Sequence, residues 1–407
     1  MSLYSKKVVS DSYPHVERIA FFRLAFRPLF WLGALFSSLA IAIWVSAFNG
    51  YISFIPLGNI LFWHIHEMLF GFTAAIIVGF LLTAVRTWTG IHSLNGWPLV
   101  VLASVWLFAR VLLAFPSSFP TTMIIVFDLL FLPLAALALA RPIIKAKLWR
   151  NLFFVPLLLL MAILNLMMHL SIQSINGFAV SFSFVETSHI MVLLVALIMC
   201  IMGGRVFPMF TANSTKTPKV LPIAWIEKLS IFSVSICVLL SIPAFTADSK
   251  IHAAALIIAG LINFIRAFRW RIWITWRTPL VWSLHISYWS VCVGLVMLGM
   301  YKLEILSNGS LAYHAITVGG IGQMILSMIS RVSLGHTGRS INVGSLMTFA
   351  MFLIGLSFLI RVFTPLFFDS YLDLILISGI CWVIGYALFI VLFTPILFKS
   401  RIDGKDG

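Results

Sequence analysis

The stretch FWHIHEMLFGF, residues 62–72, places two histidines and a glutamate at the start of a long apolar run. Neutral imidazole is the commonest metal ligand in proteins, and a nearby carboxylate typically accepts the hydrogen bond of the second ring nitrogen. Ionisable side chains within a membrane are costly, and they usually face the interior of a helix bundle and mark function. His64, His66 and Glu67 therefore indicate a functional site in which metal binding is the favoured chemistry.

The composition of the chain is that of a membrane protein. Of its 407 residues, 61% are hydrophobic and 10% are charged, and the mean hydropathy is +1.09. Soluble domains are about 45–50% apolar and about 25% charged. We attribute the net charge of +15 to cytoplasmic loops, where Lys and Arg accumulate, and not to a nucleic-acid surface. The four cysteines lie in apolar runs without CxxC spacing, so we assign them neither zinc nor disulfides.

Twelve apolar runs are long enough to cross a membrane, which takes roughly 20 residues. We predict an all-α integral membrane protein with twelve transmembrane helices in residues 24–397, and cytoplasmic tails at residues 1–23 and 398–407. No cleavable signal is predicted, because the first 20 residues are polar and the first apolar run is long enough to span. With both termini cytoplasmic, most of the 27 Lys and Arg residues lie inside. The runs are roughly 24–48, 62–85, 96–115, 121–140, 151–171, 184–204, 225–246, 251–268, 280–301, 311–330, 344–363 and 371–397.

This topology places most of the histidines at one depth, towards the outer side. Imidazoles that converge at one level from several helices are how helix bundles hold metals or haem. A single histidine near a helix end is more often hydrogen-bonded or interfacial, and we keep that interpretation for His252. For His169 the two interpretations are equally supported. The histidines of this outer layer are His64, His66, His169, His189, His252 and His314.

His64 and His66 are two positions apart, which is about 200° around a helix. Both can therefore reach one metal only if the first turn of the helix is irregular. We expect one of them to bind a ligand while the other meets a second site or the water interface.

Helix 10 combines His314 with three glycines in HAITVGGIGQM, residues 314–324. Such glycines allow another helix to approach closely, or a flat macrocycle such as haem, which needs an axial nitrogen and an apolar slot. Arg110, near the outer end of helix 3, is the candidate partner of a haem propionate. Asp128 in helix 4 and Asn165 in helix 5 either line a polar path or hydrogen-bond between helices, and we favour the hydrogen bonds.

Four stretches stand out: FRPLFWLGALF (26–36), WHIHEMLFGFTAAIIVGFLLTAVRTWTG (63–90), GGRVFPMFTAN (203–213) and HAITVGGIGQMILSMISRVSLGHTGR (314–339). Together they resemble the NnrS family of membrane proteins. They are spread in family order over nearly the whole chain, and the second and last are long and specific. The resemblance implies a twelve-helix inner-membrane protein that carries haem and copper, found in bacteria that meet nitric oxide and linked to resistance against nitrosative stress.

The chain is also similar in outline to the catalytic subunit of haem–copper oxidases. Those subunits have twelve helices, cytoplasmic termini and histidines in helices 2, 6, 7 and 10. This chain matches helices 2, 6 and 10, but its helix 7 has no histidine where the oxidases place a pair for copper. Helix 10 carries one membrane histidine, His314, instead of two. These departures argue against oxygen reduction and a full two-haem complement.

From the residues and the resemblance together, we predict a protein with one or more b-type haems, held by His64 or His66 opposite His314. It is expected to handle nitric oxide or another small diatomic ligand in the outer half of a bacterial inner membrane, in contact with lipid. The electron donor is unknown, and an oxidoreductase activity is left open.

The remaining candidates are assigned to copper and to the support of its ligands. His189 is the first expected copper ligand, together with His169 or with whichever of His64 and His66 does not bind haem. Glu67 and Glu186 are expected to hold ligating imidazoles in place or to handle protons, because such imidazoles usually donate their second N–H to a carboxylate or carbonyl.

Two other functions are compatible with the sequence. A transporter of a metal or a small anion would use the histidines as a transit site and would need a polar path to the inner face, which Asp128, Asn165, His285 and His336 could supply. A non-catalytic sensor or assembly factor for a haem enzyme would differ from the main prediction only in the absence of turnover.

Overall fold

The structure is a computed structural model that describes residues 19–173, 181–245 and 248–404. All regular secondary structure in these ranges is helical. Eleven of the helices are long and apolar enough to cross a membrane, judged by length and composition. The predicted all-α, multi-pass membrane class is thus confirmed. Residues 1–18 and 405–407 of the predicted tails, and residue 246 at the end of the seventh run, lie outside the described residues.

We number the long helices in chain order. The shortest, α7, has 17 residues and is not among the eleven. At about 1.5 Å per residue it is shorter than a hydrocarbon core of about 30 Å. The helices are α1 (Phe26–Phe48), α2 (Ile60–Thr89), α3 (Gly96–Ala114), α4 (Thr121–Lys145), α5 (Phe154–Ile172), α6 (Phe184–Thr215), α7 (Ala224–Leu240), α8 (Ser249–Phe268), α9 (Pro279–Lys302), α10 (Gly309–His336), α11 (Ser345–Val362) and α12 (Tyr371–Phe398).

The longest extensions beyond the predicted apolar runs are in α6 and α10. α6 continues past Pro208 to Thr215, and α10 continues to His336. Phe207 and Thr211 are buried in this extension of α6. Hydropathy identifies the length of helix that suits lipid, whereas these helix ends are stabilised by packing against neighbouring helices. The predicted apolar runs therefore end before the helices do.

Polar caps set where the three helices that carry His64, His189 and His314 begin. The side chain of Asn59 accepts a hydrogen bond from the Phe62 amide (2.8 Å) at the start of α2. Ser183 and Glu186 form a capping box at the start of α6, and Asn308 caps α10. Such caps satisfy amides that have no partner within the helix. A histidine follows five or six residues after each cap, so the caps fix the depth of the imidazoles. The three histidines are His64, His189 and His314.

Four helices form the interior of the bundle. In α2, α6, α9 and α10, 72–78% of the most apolar stretch is buried, compared with 39–56% in the other seven spans. The interior helices include all three that carry the capped histidines. The bundle therefore surrounds these imidazoles with protein.

Both α2 and α10 contain a π-helical segment. In α2 it covers Glu67–Thr73, directly after His66, and in α10 it covers Ala315–Gly322, directly after His314. π-Helical turns are rare and occur frequently at functional sites. Their position beside two of the candidate histidines marks this level of the bundle as the site.

Candidate functional site

A cavity of about 520 Å³ opens at the end of the bundle where α2, α6 and α10 begin. Its size lies within the range of about 300–1,000 Å³ that is usual for ligand pockets. His64, His189 and His314 all line it. Three helices therefore bring one imidazole each to this cavity, which we call the histidine cavity.

The His314 ring has a defined hydrogen-bonding pattern. Its Nδ1–H donates to the backbone carbonyl of Ser310 (2.7 Å), and the Ser310 hydroxyl lies 3.2 Å from the same nitrogen. Nε2 has no hydrogen-bond partner among the described residues. A ligating histidine usually holds its second ring nitrogen in this way, which fixes the tautomer. His314 is therefore prepared to offer the Nε2 lone pair to a metal.

His64 and His189 are positioned by aromatic stacking. The His64 ring lies 4.0 Å from the Trp44 ring, centroid to centroid, with 20° between the planes. His189 lies 3.6 Å from Tyr313, almost parallel at 7°. Neither imidazole forms a hydrogen bond with a described residue, and both are only half-buried. Stacking holds the rings and leaves their nitrogens available to the cavity.

Arg361 of α11 brings a positive charge to the same cavity. Its Nη2 donates to Tyr371 Oη (3.1 Å) and to Ser310 Oγ (3.3 Å). Its Nη1 is buried and has no hydrogen-bond partner in the described part of the chain. The guanidinium also lies close enough to His64 and His314 to interact with them electrostatically. An anionic group on a ligand would accept the hydrogen bonds that Arg361 Nη1 has available.

Arg361 was missed as a site residue by sequence analysis. The predicted topology places it on the outer side without assigning it a role. The signal was its depth, because Arg361 lies in an apolar helix at the level of the histidine layer.

The glycines of α10 serve helix packing. A Cβ atom on Gly322 would lie 2.3 Å from the Trp382 ring, and one on Gly319 would lie 2.5 Å from the Phe358 ring. These aromatic side chains fill the space that a flat macrocycle would need along the strip. The cavity therefore lies beside the glycines and not on them.

A second, smaller cavity of about 90 Å³ continues below the first. Thr73 and Ile321 line both cavities. The rest of its wall is apolar and includes Met199, Met202 and Met324. The histidine cavity thus adjoins an apolar space on the side of the bundle interior.

His66 points away from this cavity into a fully buried polar cluster. Its Nδ1 lies 3.0 Å from Glu67 Oε1, and its Nε2 lies 2.8 Å from Asn165 Oδ1 and 3.1 Å from Asp128 Oδ2. Arg110 donates two hydrogen bonds to the Glu67 carboxylate, at 2.9 and 3.0 Å. We call these residues, together with His169, the buried ion cluster.

Asp128 is the centre of the buried ion cluster. Its Oδ2 accepts hydrogen bonds from Asn165 Nδ2 (2.8 Å) and His169 Nε2 (2.9 Å). Its Oδ1 accepts a hydrogen bond from Arg110. The hydrogen-bonding interpretation of Asp128 and Asn165 is therefore confirmed.

The hydrogen bonds of His66 indicate its protonation state. Both ring nitrogens face acceptor oxygens, and an imidazole can donate from both only as the imidazolium ion. With Glu67 and Asp128 ionised, the charges of Arg110 and His66 balance them. Buried charges are tolerated when they are paired and hydrogen-bonded in this way.

The buried ion cluster also has the residue types of a metal site. His66, Asp128 and His169 offer ligand atoms that lie within 4.8 Å of one another. Both nitrogens of His66 are already used, however, and the free position is His169 Nδ1, which is buried without a partner in the described residues. The hydrogen bonds account for this cluster without an ion.

The structure separates the predicted site residues into two groups. His64, His189 and His314 lie together in the histidine cavity. His66 and His169 lie in the buried ion cluster. His189 and His169, one of the predicted pairs for copper, are therefore apart. Arg110 and Glu67 belong to the buried ion cluster, so Arg110 is not the arginine of the cavity. Glu186 is exposed and accepts hydrogen bonds from the Ser183 amide and hydroxyl.

His252 is hydrogen-bonded near a helix end, in agreement with the interfacial role expected from its position. Its Nε2 lies 3.3 Å from the Ser241 hydroxyl, near the ends of α7 and α8. It does not line the histidine cavity.

One protein-family model, described as NnrS protein, matches residues 20–401. The match covers every helix of the bundle, including the cavity and the buried ion cluster. A comparison with curated proteins finds no match.

Proposed function

The chain belongs to the NnrS family, and on that premise we propose that it is a haem-binding membrane protein that handles nitric oxide in the histidine cavity. The observation that carries the proposal is the convergence of three imidazoles from three helices on one cavity, two of them without a hydrogen-bond partner in the described residues. Haem and copper are the groups that the family resemblance implies.

The residues present fit a haem. His314 would be the first ligand to the haem iron, because the Ser310 carbonyl holds its Nδ1–H and leaves Nε2 available. His64 is the second candidate, since its ring is near enough to His314 for electrostatic interaction. Arg361 has a buried, unpartnered N–H group that suits a propionate. A bound haem would supply an iron centre for ligand binding and electron transfer, with properties set by these ligands and the surrounding dielectric.

His189 is the imidazole that this arrangement leaves for copper. Its stacking on Tyr313 holds the ring at the cavity wall, and imidazole suits copper as a ligand. His169, the other predicted copper ligand, lies in the buried ion cluster and donates from Nε2 to Asp128. We therefore place copper in the histidine cavity.

Nitric oxide suits the surroundings of the site. It is small and weakly polar, and the apolar cavity of about 90 Å³ beside the histidine cavity has room for such a molecule. Handling by this chain means binding, redox conversion or protection of metal centres, and an electron donor would be required only for redox conversion.

The proposal includes twelve spans with both termini in the cytoplasm of a bacterium, in its inner membrane. α7 would be the twelfth span, and a short span can be accommodated by local thinning of the bilayer. The distribution of Lys and Arg supports this orientation.

A metal or anion transporter is less well supported. Such a protein would need polar groups that continue from the histidines towards the other face. Asp128 and Asn165 are instead engaged in the buried ion cluster, and the space described below the histidine cavity is apolar. A sensor or assembly factor would bind haem without turnover, so a turnover assay with nitric oxide separates it from an enzyme.

The test is the absorption spectrum of the purified protein, oxidised and reduced, with and without nitric oxide, beside metal analysis. We expect Soret and α bands that shift with nitric oxide and that the H314A variant loses. H336A is the matched control, because His336 lies at the other end of the same helix and outside the cavity. Haem content that is equal in H314A and H336A would overturn the assignment.

A further inference from the structure

A third cavity, of about 390 Å³, lies at the opposite end of the bundle from the histidines. Trp88 at the end of α2 and Trp270 after α8 form part of its wall. Basic side chains from four separate segments surround it: the turn before α5, the middle of α6, the loop between α6 and α7, and the end of α8. They are Arg150, Arg205, Lys219 and Arg269.

These four cations are not neutralised by any side chain in the described part of the chain. None forms an ion pair with a described residue, since the ion pairs of the described chain involve other side chains. The one carboxylate in the lining, Glu227, is engaged by the buried Arg266. Within residues 19–173, 181–245 and 248–404, the cavity therefore carries positive charge that no carboxylate compensates.

The cations are held near one another despite their repulsion. Arg150 and Arg205 lie close enough to interact electrostatically. Arg205 is held over the Phe153 ring, 5.5 Å from its centroid, and Arg269 donates to the Leu221 carbonyl (3.1 Å). Side chains that are free in solvent would move apart, whereas these contacts keep two of the guanidiniums at the cavity.

A fifth polar side chain in the cavity wall, that of Asn151, has an oxygen atom that lacks a hydrogen-bond donor within the described ranges. Asn151 lines the cavity, and its Oδ1 is buried with no hydrogen-bond donor among the described residues. A ligand that satisfies the cavity must then combine an anionic group with a hydroxyl or ammonium donor. Arginine favours phosphate because its fork of N–H donors matches the phosphate oxygens.

We propose that this cavity binds a phosphate group that carries a neighbouring hydroxyl or ammonium donor. Arg150, Arg205, Lys219 and Arg269 hold the phosphate, and Asn151 Oδ1 accepts the hydrogen bond of the donor. Two sources offer this chemistry, a glycerol- or ethanolamine-type phospholipid headgroup and a soluble phosphate monoester. The proposal is independent of haem and of the histidine cavity.

The experiment uses the full-length protein in phosphatidylcholine nanodiscs with and without phosphatidylglycerol. Lipid retained by the protein is measured by native mass spectrometry, and glycerol 3-phosphate is titrated separately into the phosphatidylcholine nanodiscs. We expect R205Q to weaken binding by about tenfold or more, because it removes a charge-assisted hydrogen-bond donor. R277Q is the matched control, since Arg277 belongs to the same end of the bundle and does not line the cavity.

Each result decides the proposal. Selective retention of phosphatidylglycerol that R205Q loses and R277Q keeps supports a headgroup site, and the same pattern with glycerol 3-phosphate supports a soluble ligand. Equal binding by wild type, R205Q and R277Q, or no binding of either probe, overturns it. If R205Q does not fold, K219Q tests the same cavity from an exposed loop.

Discussion

The two histidines of α2 lie two residues apart and have opposite environments. His64 faces a cavity, stacks on Trp44 and has no hydrogen-bond partner among the described residues. His66 is fully buried, and both of its nitrogens are hydrogen-bonded. The same residue type thus serves as an available ligand on one face of the helix and as part of a charge-balanced contact on the other.

This difference shows how a membrane bundle can hold a layer of imidazoles in place. The buried ion cluster joins α2 to α3, α4 and α5, so it fixes the rotation of α2. That rotation directs His64 towards His314 and His189. The two faces can be separated experimentally, because one should control stability and the other the bound cofactor.

The largest effect should come from D128N. Removing one partner of a buried ion network leaves uncompensated charge, which costs about 3–5 kcal/mol, so we expect a clear loss of unfolding free energy. Thermal unfolding in detergent measures it. D373N is the control because Asp373 is exposed at the start of α12. If D128N unfolds like D373N, the cluster does not stabilise the bundle.

H66A and H64A should have opposite effects. H66A removes one of the hydrogen-bond donors of Glu67 and one of those of Asp128, which costs about 1–3 kcal/mol of unfolding free energy. Haem content should stay near wild type once the protein is folded. H64A should change the haem spectrum and leave the unfolding temperature nearly unchanged. Spectra and unfolding curves of both variants give the comparison directly. A spectral loss confined to H66A would reverse the assignment of the two faces.

G322A tests how closely the cavity wall is packed. The added Cβ would lie 2.3 Å from Trp382, a residue that also lines the histidine cavity. Overpacking costs about 1–3 kcal/mol, and we expect a lower unfolding temperature with altered haem binding. G355A is the matched control, since no atom lies within 4 Å of its added Cβ. Equal stability of the two variants would mean that Trp382 moves freely.

E186Q should have the smallest effect, because Glu186 is exposed at the start of α6 and lies apart from both faces of α2. Glutamine keeps an oxygen acceptor for Ser183 but removes the negative charge at the start of α6, which is worth about 0.3–1 kcal/mol. We expect this small loss in unfolding free energy and an unchanged haem spectrum. A changed spectrum would show that Glu186 supports a ligating imidazole or handles protons, as the sequence suggested.

Much of the fold follows from the sequence because hydropathy and charge are sufficient to place spans. The depth of His64, His189 and His314 followed from the predicted direction of each helix. The extended end of α6 did not, because its stability comes from packing. α7 shows the reverse, since a predicted run of 225–246 contains a helix of only 17 residues.

The partners within the site could not be predicted from one sequence. The angle of 200° showed that His64 and His66 face different ways, but only contacts between helices decide which one meets His314. The same holds for Arg110, whose neighbours Glu67 and Asp128 lie on two other helices. The π-helical segments have no signature in hydropathy or charge.

The buried ion cluster has a consequence for how the protein is made. Glu67, Arg110 and Asp128 reach the membrane on three successive segments, and each charge alone raises the cost of insertion, by up to about 2.5–3.5 kcal/mol for Arg or Asp at a helix centre. Their charges cancel only after α2, α3 and α4 have met, and α5 adds Asn165 and His169. Biosynthesis thus favours release of these four segments into the bilayer as one group, before the later helices that complete the histidine cavity.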